Sequence, residues 1–201
     1  MDSFSEAILS FVSGVPLVLQ LLLLGVFSFT EGLPIIGSVL PGGTIALFAG
    51  SLAAQGILSP FVGALVVGTA SFAGDMFGFL LGRKFRHLPR VSRFVTHEKY
   101  QRSWDLFDRH LAIVSIFGKL LPVIRSTPSL FAAIRGVRTR RYMIYSFIGS
   151  YLWGFLGIYA GNVVTNYLGP RTITLIFVIL VTSIVIILLR TFIKRIWTTR
   201  R

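Results

Sequence analysis

Long apolar runs separated by short polar or basic stretches dominate this chain. The runs at 15–30, 61–82, 142–162 and 172–189 carry no proline beyond Pro16 at the very start of the first, and read as helices that cross a hydrocarbon core of about 30 Å. Two further apolar segments are broken. Segment 32–56 contains Pro34, Gly37, Pro41, Gly42 and Gly43, and segment 111–134 contains Pro122 and Pro128. Proline removes an amide donor and clashes with the preceding turn, and glycine weakens a helix, so neither segment reads as one regular helix. Within lipid, freed backbone groups must be met by protein or by a wet cavity, so each broken segment is expected to be a re-entrant hairpin. The fold class expected is all-α: a polytopic membrane protein with inverted repeats, two re-entrant helical hairpins and about four full transmembrane helices.

The two broken segments are alike. Leu33-Pro34-Ile35-Ile36-Gly37-Ser38, with Pro41 following, matches Leu121-Pro122-Val123-Ile124-Arg125-Ser126, with Pro128 following. Further on, Phe77-Gly78-Phe79-Leu80 resembles Trp153-Gly154-Phe155-Leu156. The order hairpin, linker, crossing helix therefore occurs twice. The expected organisation is a single membrane domain over 1–201: repeat 1 at about 31–82, a cytoplasmic linker at 83–110, repeat 2 at about 111–162, and a C-terminal transmembrane helix at 172–190 with a basic tail. The linker is basic and holds Trp104, Phe107 and all three histidines. It fits amphipathic helices on the inner leaflet, or a solvated charged loop.

Composition agrees with a membrane protein. The chain is 54% hydrophobic with mean hydropathy +0.78, and only 13% of its residues are charged, against about one quarter in soluble domains. The net charge of +13 could suggest nucleic acid, but its distribution argues otherwise. No Lys or Arg occurs in 1–82, and 17 of the 20 fall in clusters at 83–109, 135–141 and 190–201. Clusters abutting apolar spans are the positive-inside signal, and no nucleic-acid motif accompanies them. With all three clusters in the cytoplasm, 61–82 crosses inward, 142–162 outward and 172–189 inward, which leaves the C-terminus inside. Segment 111–134 then enters from the cytoplasm and returns to it, segment 32–56 enters from outside, and 15–30 crosses from a cytoplasmic N-terminus. Met1 to Ser10 has two acids and no base, unlike the n-region of a signal peptide. Cysteine is absent, which excludes thiol chemistry.

Four ionisable side chains lie inside apolar segments: Glu31, Asp75, Lys119 and Arg125. Each costs a few kcal/mol at the midplane of a lone helix, so they are expected to face one another or water. Arg125, beside Ser126, offers a planar, permanently charged fork suited to phosphate, and Lys119 adds a point charge. The helix expected after Pro128 would also favour an anion at its N-terminus. Arg125, Lys119 and Ser126 are thus the candidate substrate-binding residues, and Pro34, Pro41, Pro122 and Pro128 the residues that break the hairpins. Glu31 and Asp75 are candidates for proton exchange, or for static counter-ions to Lys119 and Arg125. Asp75 could also simply bond Ser71 or Thr69. No metal-ligand spacing and no Gly-x-Ser-x-Gly elbow occurs, and every histidine lies in the linker, so no enzyme, metal or cofactor is expected.

At these residues the chain resembles the DedA family, also called the SNARE-associated or VTT-domain family. The matching parts are Phe29-Thr30-Glu31 with Leu40-Pro41-Gly42, then Gly74-Asp75-x-x-Gly78-Phe79-x-x-Gly82-Arg83, then Phe117-Gly118-Lys119-x-x-Pro122-x-x-Arg125 followed by Ala132-Ala133. The resemblance implies lipid movement across a bacterial inner membrane. Its cargo would be undecaprenyl phosphate or a phospholipid such as phosphatidylethanolamine, with proton-motive force in some members. It also implies functional roles for Glu31, Asp75 and Arg125. Three departures stand out. Gly43 replaces an acid common after Leu-Pro-Gly, Lys119 stands where many members have Arg, and Ala132-Ala133 replaces Ala-Gly. The missing acid weakens the case for proton coupling. Lysine keeps the charge of arginine but lacks its fork, so a headgroup would rest chiefly on Arg125.

The function expected is a lipid translocase, flippase- or scramblase-like, that moves a phosphate-bearing anionic lipid between leaflets. Membrane lipids and protons are the expected partners, with no nucleic acid, and a homo-oligomer is compatible with the chain. The alternatives are a proton-coupled transporter of a small solute and a non-transport membrane organiser acting through the basic linker.

Overall fold

A computed structural model describes residues 14–34, 42–88, 98–121, 125 and 127–169. Pro41, Pro122, Ser126, the expected helix at 172–190, its basic tail and both termini lie outside the described residues. The described residues are helical, with no strand among them. The helices are α1 (Leu17–Gly32), α2 (Gly42–Ala54), α3 (Pro60–Phe85), α4 (Glu98–Arg109), α5 (Leu111–Phe117), α6 (Thr127–Ile134) and α7 (Thr139–Leu168). A 3-10 turn at Gly118–Leu120 extends α5.

Among the described helices, α3 and α7 are long and apolar enough to cross a membrane. They run antiparallel: Arg83 meets Thr139, Phe79 meets Tyr142, Phe72 meets Phe147, and Gly68 meets Tyr151. Proline at the first position of α3 suits a helix start, where its missing amide costs nothing.

The remaining helices pair around these two. Gly25 lies against Val66, Gly32 against Ser71 and Gly74, and Pro34 against Gly78, so α1 runs parallel to α3. Ala46 meets Gly157 and Gly50 meets Gly161, so α2 runs parallel to α7. Helices α1 and α2 are therefore antiparallel, and residues 33–41 connect them in the chain. The sequence suggests 15–30 as a separate crossing and both arms of the first hairpin within 32–56; among the described residues α1 instead pairs with α2, and α1 is shorter than the two helices long enough to cross a membrane. At 16 residues, α1 rises about 24 Å, short of a hydrocarbon core. Leu17 lies at the same end of the molecule as Pro60. In the second half, Ser115 meets Gly149 and Lys119 meets Ser150, so α5 runs parallel to α7. Ser129 meets Gly78 and Ala133 meets Gly82, so α6 runs parallel to α3. Each half thus follows the course helix, break, returning helix, long helix.

The two returning helices end alike. Gly56 follows α2 with φ of 74°, and Gly136 follows α6 with φ of 75°. In each, the glycine amide bonds three residues back and the next amide bonds five back: Gly56 to Ala53 and Ile57 to Leu52, Gly136 to Ala133 and Val137 to Ala132. This is the Schellman stop, which needs the left-handed backbone that glycine adopts without strain.

The distribution of side chains is the reverse of a soluble domain. On α1, Leu22, Val26 and Phe27 are exposed while Ser28 and Glu31 are buried; on α7, Ile144, Phe147 and Ile148 are exposed while Ser146 and Ser150 are buried. Large apolar faces turned outward and polar groups turned inward suit a hydrocarbon solvent. Two apolar clusters fill the interior. One gathers Leu24, Ala49, Leu52, Val67 and Ile158 near the α2–α3 turn. The other gathers Phe79, Phe107, Leu111, Ala132 and Tyr142 toward the basic end. The buried charges lie between them.

Candidate functional site

The four charged residues singled out in the apolar segments meet in the interior. Glu31 comes from the last turn of α1, just before the first break, and Asp75 from the middle of α3. Lys119 lies in the 3-10 turn ending α5, and Arg125 in the second break. Their exposures are 1%, 2%, 2% and 6%, so water cannot pay for their charge. Each must find its counter-ion in the protein.

They pair across the two halves. Arg125 Nη2 donates to Glu31 Oε2, and Lys119 Nζ donates to Asp75 Oδ2. Each pair joins a carboxylate of the first half to a base of the second, and the set is neutral. Glycine permits the approach. A Cβ at Gly32 or Gly74 would strike the facing backbone, and one at Gly78 would lie 2.6 Å from Pro34 Cδ. The chain can therefore break at Pro34 only because α3 offers it a bare backbone.

Helix α7 supplies the neutral part of the site, and sequence reasoning missed it. Ser146 Oγ donates to Asp75 Oδ2 at 2.5 Å, and Lys119 also donates to Ser150 Oγ. Ser146 and Ser150 are four residues apart and so share one face of α7. The simpler partner expected for Asp75, Ser71 or Thr69, is not the bond that forms, and Thr69 instead bonds the Tyr151 hydroxyl at 2.9 Å. Tyr142 is buried, stacks on Phe79 at 4.8 Å, and shares hydrogen bonds with Ser129 and Ser146. The Arg125 guanidinium lies 4.5 Å from the centre of the Trp153 ring. These residues carry little signal in the sequence, because serine and aromatic residues are ordinary on an apolar helix. The one signal that would have pointed to them is the four-residue spacing of Ser146 and Ser150.

The breaking residues divide. Pro34 packs against Gly78, and Pro128 is buried in the first turn of α6, whereas Pro41, Pro122 and Ser126 fall outside the described residues. No group of three or more His, Asp or Glu able to hold a metal occurs among the described residues.

At the basic end, the linker contributes α4. Trp104 and Phe107 are buried against Phe131 of α6, with ring centres 5.1 and 6.2 Å away. Arg135, just after α6, donates to Asp108 and lies over the Trp104 ring. The C-terminal half of the linker is therefore a helix docked on the second hairpin.

No solved structure matches the chain. It is 26% identical over 128 residues to the inner membrane protein YghB of Escherichia coli K12, a match covering 62% of this chain and 58% of that one. It is 28% identical over 130 residues to YghB of Salmonella typhimurium, with the same coverage. An uncharacterised membrane protein of Mycobacterium leprae is 26% identical over 132 residues, covering 62% of this chain and 60% of that one. The matched region thus spans less than two thirds of these relatives. The model of the VTT domain matches residues 40–163, well over half the chain, and takes in Asp75, Lys119, Arg125 and the serines of α7. On that match, the chain belongs to the VTT-domain, or DedA, family of membrane proteins.

Proposed function

We propose that this protein is a lipid translocase of a bacterial inner membrane, which moves a phosphate-bearing lipid between leaflets. The observation that carries the reading is the neutral quartet Glu31–Arg125 and Asp75–Lys119, buried between the two halves of the fold. A static scaffold gains little from such a cluster, because apolar residues of similar volume stabilise a protein as well or better. A site that must bind and release an anion needs it.

The chemistry is an exchange. Carboxylates hold the two bases while no cargo is present. When Glu31 takes a proton, Arg125 loses its counter-ion and becomes the fork for a phosphate. Lys119 and Asp75 act the same way with a point charge in place of the fork. The buried charge count stays constant, so neither state leaves an uncompensated ion in low dielectric. Proton-motive force would then drive the cycle. The two broken helical pairs, read as re-entrant hairpins entering from opposite faces, form the inverted-repeat plan in which a site near midplane opens alternately. A lipid rather than a free solute is favoured by the apolar groove along α1 and α3, lined by Leu21, Gly25, Phe29, Val66 and Ala70, which opens sideways. The inner-membrane placement rests on the YghB relatives.

The test is headgroup translocation in proteoliposomes. Arg125→Ala is expected to abolish transport of a phosphate-bearing lipid, and Glu31→Gln to abolish its response to a proton gradient. Normal rates in both variants would sink the assignment.

A further inference from the structure

Among the described residues, two buried polar atoms beside Arg125 have no hydrogen-bond partner. One is Glu31 Oε1, the oxygen that Arg125 does not hold, and the other is the indole nitrogen Trp153 Nε1. Both residues touch Arg125, the first through its carboxylate and the second through its ring face. Such atoms normally find partners, because an unsatisfied buried group forfeits the hydration it gave up. One of the two is an acceptor and the other can only donate.

The repeat makes the tryptophan conspicuous. Trp153-Gly154-Phe155-Leu156 corresponds to Phe77-Gly78-Phe79-Leu80, so Phe77 is its counterpart. Phe77 is 48% exposed and packs on Phe29, which carries no charge. If Trp153 only filled space or flanked a cation, phenylalanine would do at both places. Only the second half carries an indole N–H, and only there does the ring face a guanidinium. The ring edge also abuts the start of α2, where a Cβ on Gly43 would lie 3.5 Å from Trp153 Cη2. Trp153 therefore stands between Arg125 and the start of α2.

We propose that Trp153 is a ligand-binding residue, and that its indole N–H, Arg125 and Glu31 Oε1 together receive one protonated phosphate group. The ring face keeps the guanidinium flat when Glu31 lets go, so its N–H edge stays presented. With the Glu31 proton on Oε2, the oxygen Arg125 gives up, one phosphate oxygen accepts from Arg125, a second accepts from Trp153 Nε1–H, and the P–OH donates to Glu31 Oε1. A phosphodiester has no P–OH, would leave the Glu31 oxygen unpaired, and is bound less well. This assignment rests on the translocase reading and names the group that reads the headgroup.

The experiment uses the full chain in nanodiscs of a phosphatidylcholine, with the three tryptophans labelled with nitrogen-15 at the indole. The Trp153 resonance is identified by its loss in Trp153→Phe. Dihexanoyl phosphatidic acid, dihexanoyl phosphatidylglycerol and inorganic phosphate are titrated separately. The Trp153 N–H resonance is expected to move downfield saturably with phosphatidic acid, and at several-fold higher concentration with phosphatidylglycerol. Trp153→Phe, which keeps the ring over Arg125, is expected to weaken phosphatidic acid binding about tenfold, the effect of one hydrogen bond to a charged group. An equal response to inorganic phosphate supports the subsite and overturns the lipid reading in favour of a free solute. A Trp153 resonance that stays fixed while calorimetry registers phosphatidic acid binding overturns the subsite. So does wild-type translocation by Trp153→Phe when Arg125→Ala is inactive, an outcome that leaves the translocase reading standing.

Discussion

At the scale of single residues, the four buried charges could be picked out in the sequence because an ion in apolar surroundings is costly enough to need a reason. Their pairing could not. Glu31 and Arg125 are far apart in the chain, as are Asp75 and Lys119, and the sequence allowed either carboxylate to serve either base. The structure assigns Glu31 to Arg125 and Asp75 to Lys119. Removing one partner of a buried pair strands the other charge, at about 3–5 kcal/mol. Asp75→Asn and Lys119→Met are each expected to lower the denaturation temperature in detergent. The double variant, which removes both charges, is expected to recover most of that loss while remaining inactive in transport. Equal destabilisation in the double variant would mean that the pair does not act as a unit. The neutral residues Ser146, Ser150, Tyr142 and Trp153 went unread, because their types are ordinary on an apolar helix and only the facing groups give them meaning.

At the scale of elements, helix breaks were legible wherever proline and glycine clustered, but which helices form a hairpin was not. Segment 15–30 is apolar and uninterrupted, and apolar continuity alone reads as a crossing. Its contacts add what continuity does not show, a parallel course beside α3 and an antiparallel one beside α2, the geometry of one arm of a helical hairpin. Bare backbone is what lets these helices meet. A Cβ at Gly161 would collide with the Leu47 carbonyl, and one at Gly50 with the Ile158 carbonyl. Gly161→Val is expected to prevent α2 from packing on α7, leaving aggregated protein by size-exclusion chromatography. Gly56→Ala meets open space and carries only backbone strain, about 1 kcal/mol, and is expected to stay monodisperse. The amphipathic helix α4 has its own prediction. The Arg135–Asp108 pair is part-exposed and contributes about 1 kcal/mol or less, whereas Trp104 is buried. Trp104→Ala is expected to speed amide exchange across 104–109 far more than Arg135→Ala, and comparable exchange in both would show that the charges, not the aromatic ring, dock the helix.

At the scale of the whole molecule, the two halves repeat a course of helices rather than a set of side chains. Both carry a proline-broken pair and a glycine-stopped returning helix, yet the first half brings the buried acids and the second the buried bases. The arrangement makes a direct prediction about topology. Charge counting puts residue 14 and residue 59 on opposite faces of the membrane, whereas the parallel course of α1 and α3 puts them on one. The chain has no native cysteine, so single substitutions report cleanly. Gly14→Cys and Ser59→Cys are expected to react with an impermeant thiol reagent from one side, and His87→Cys from the other. Labelling of Gly14→Cys and Ser59→Cys from opposite sides would refute the hairpin formed by α1 and α2. By itself the sequence determined the solvent, the helical class, the places where helices break and the charges that lie in apolar surroundings, because each follows from the local cost of putting a residue type in hydrocarbon. Only the tertiary structure decided the direction of α1, the partner of each charge and the part taken by α7. These depend on which faces meet across the fold, and no local cost in the chain distinguishes one meeting from another.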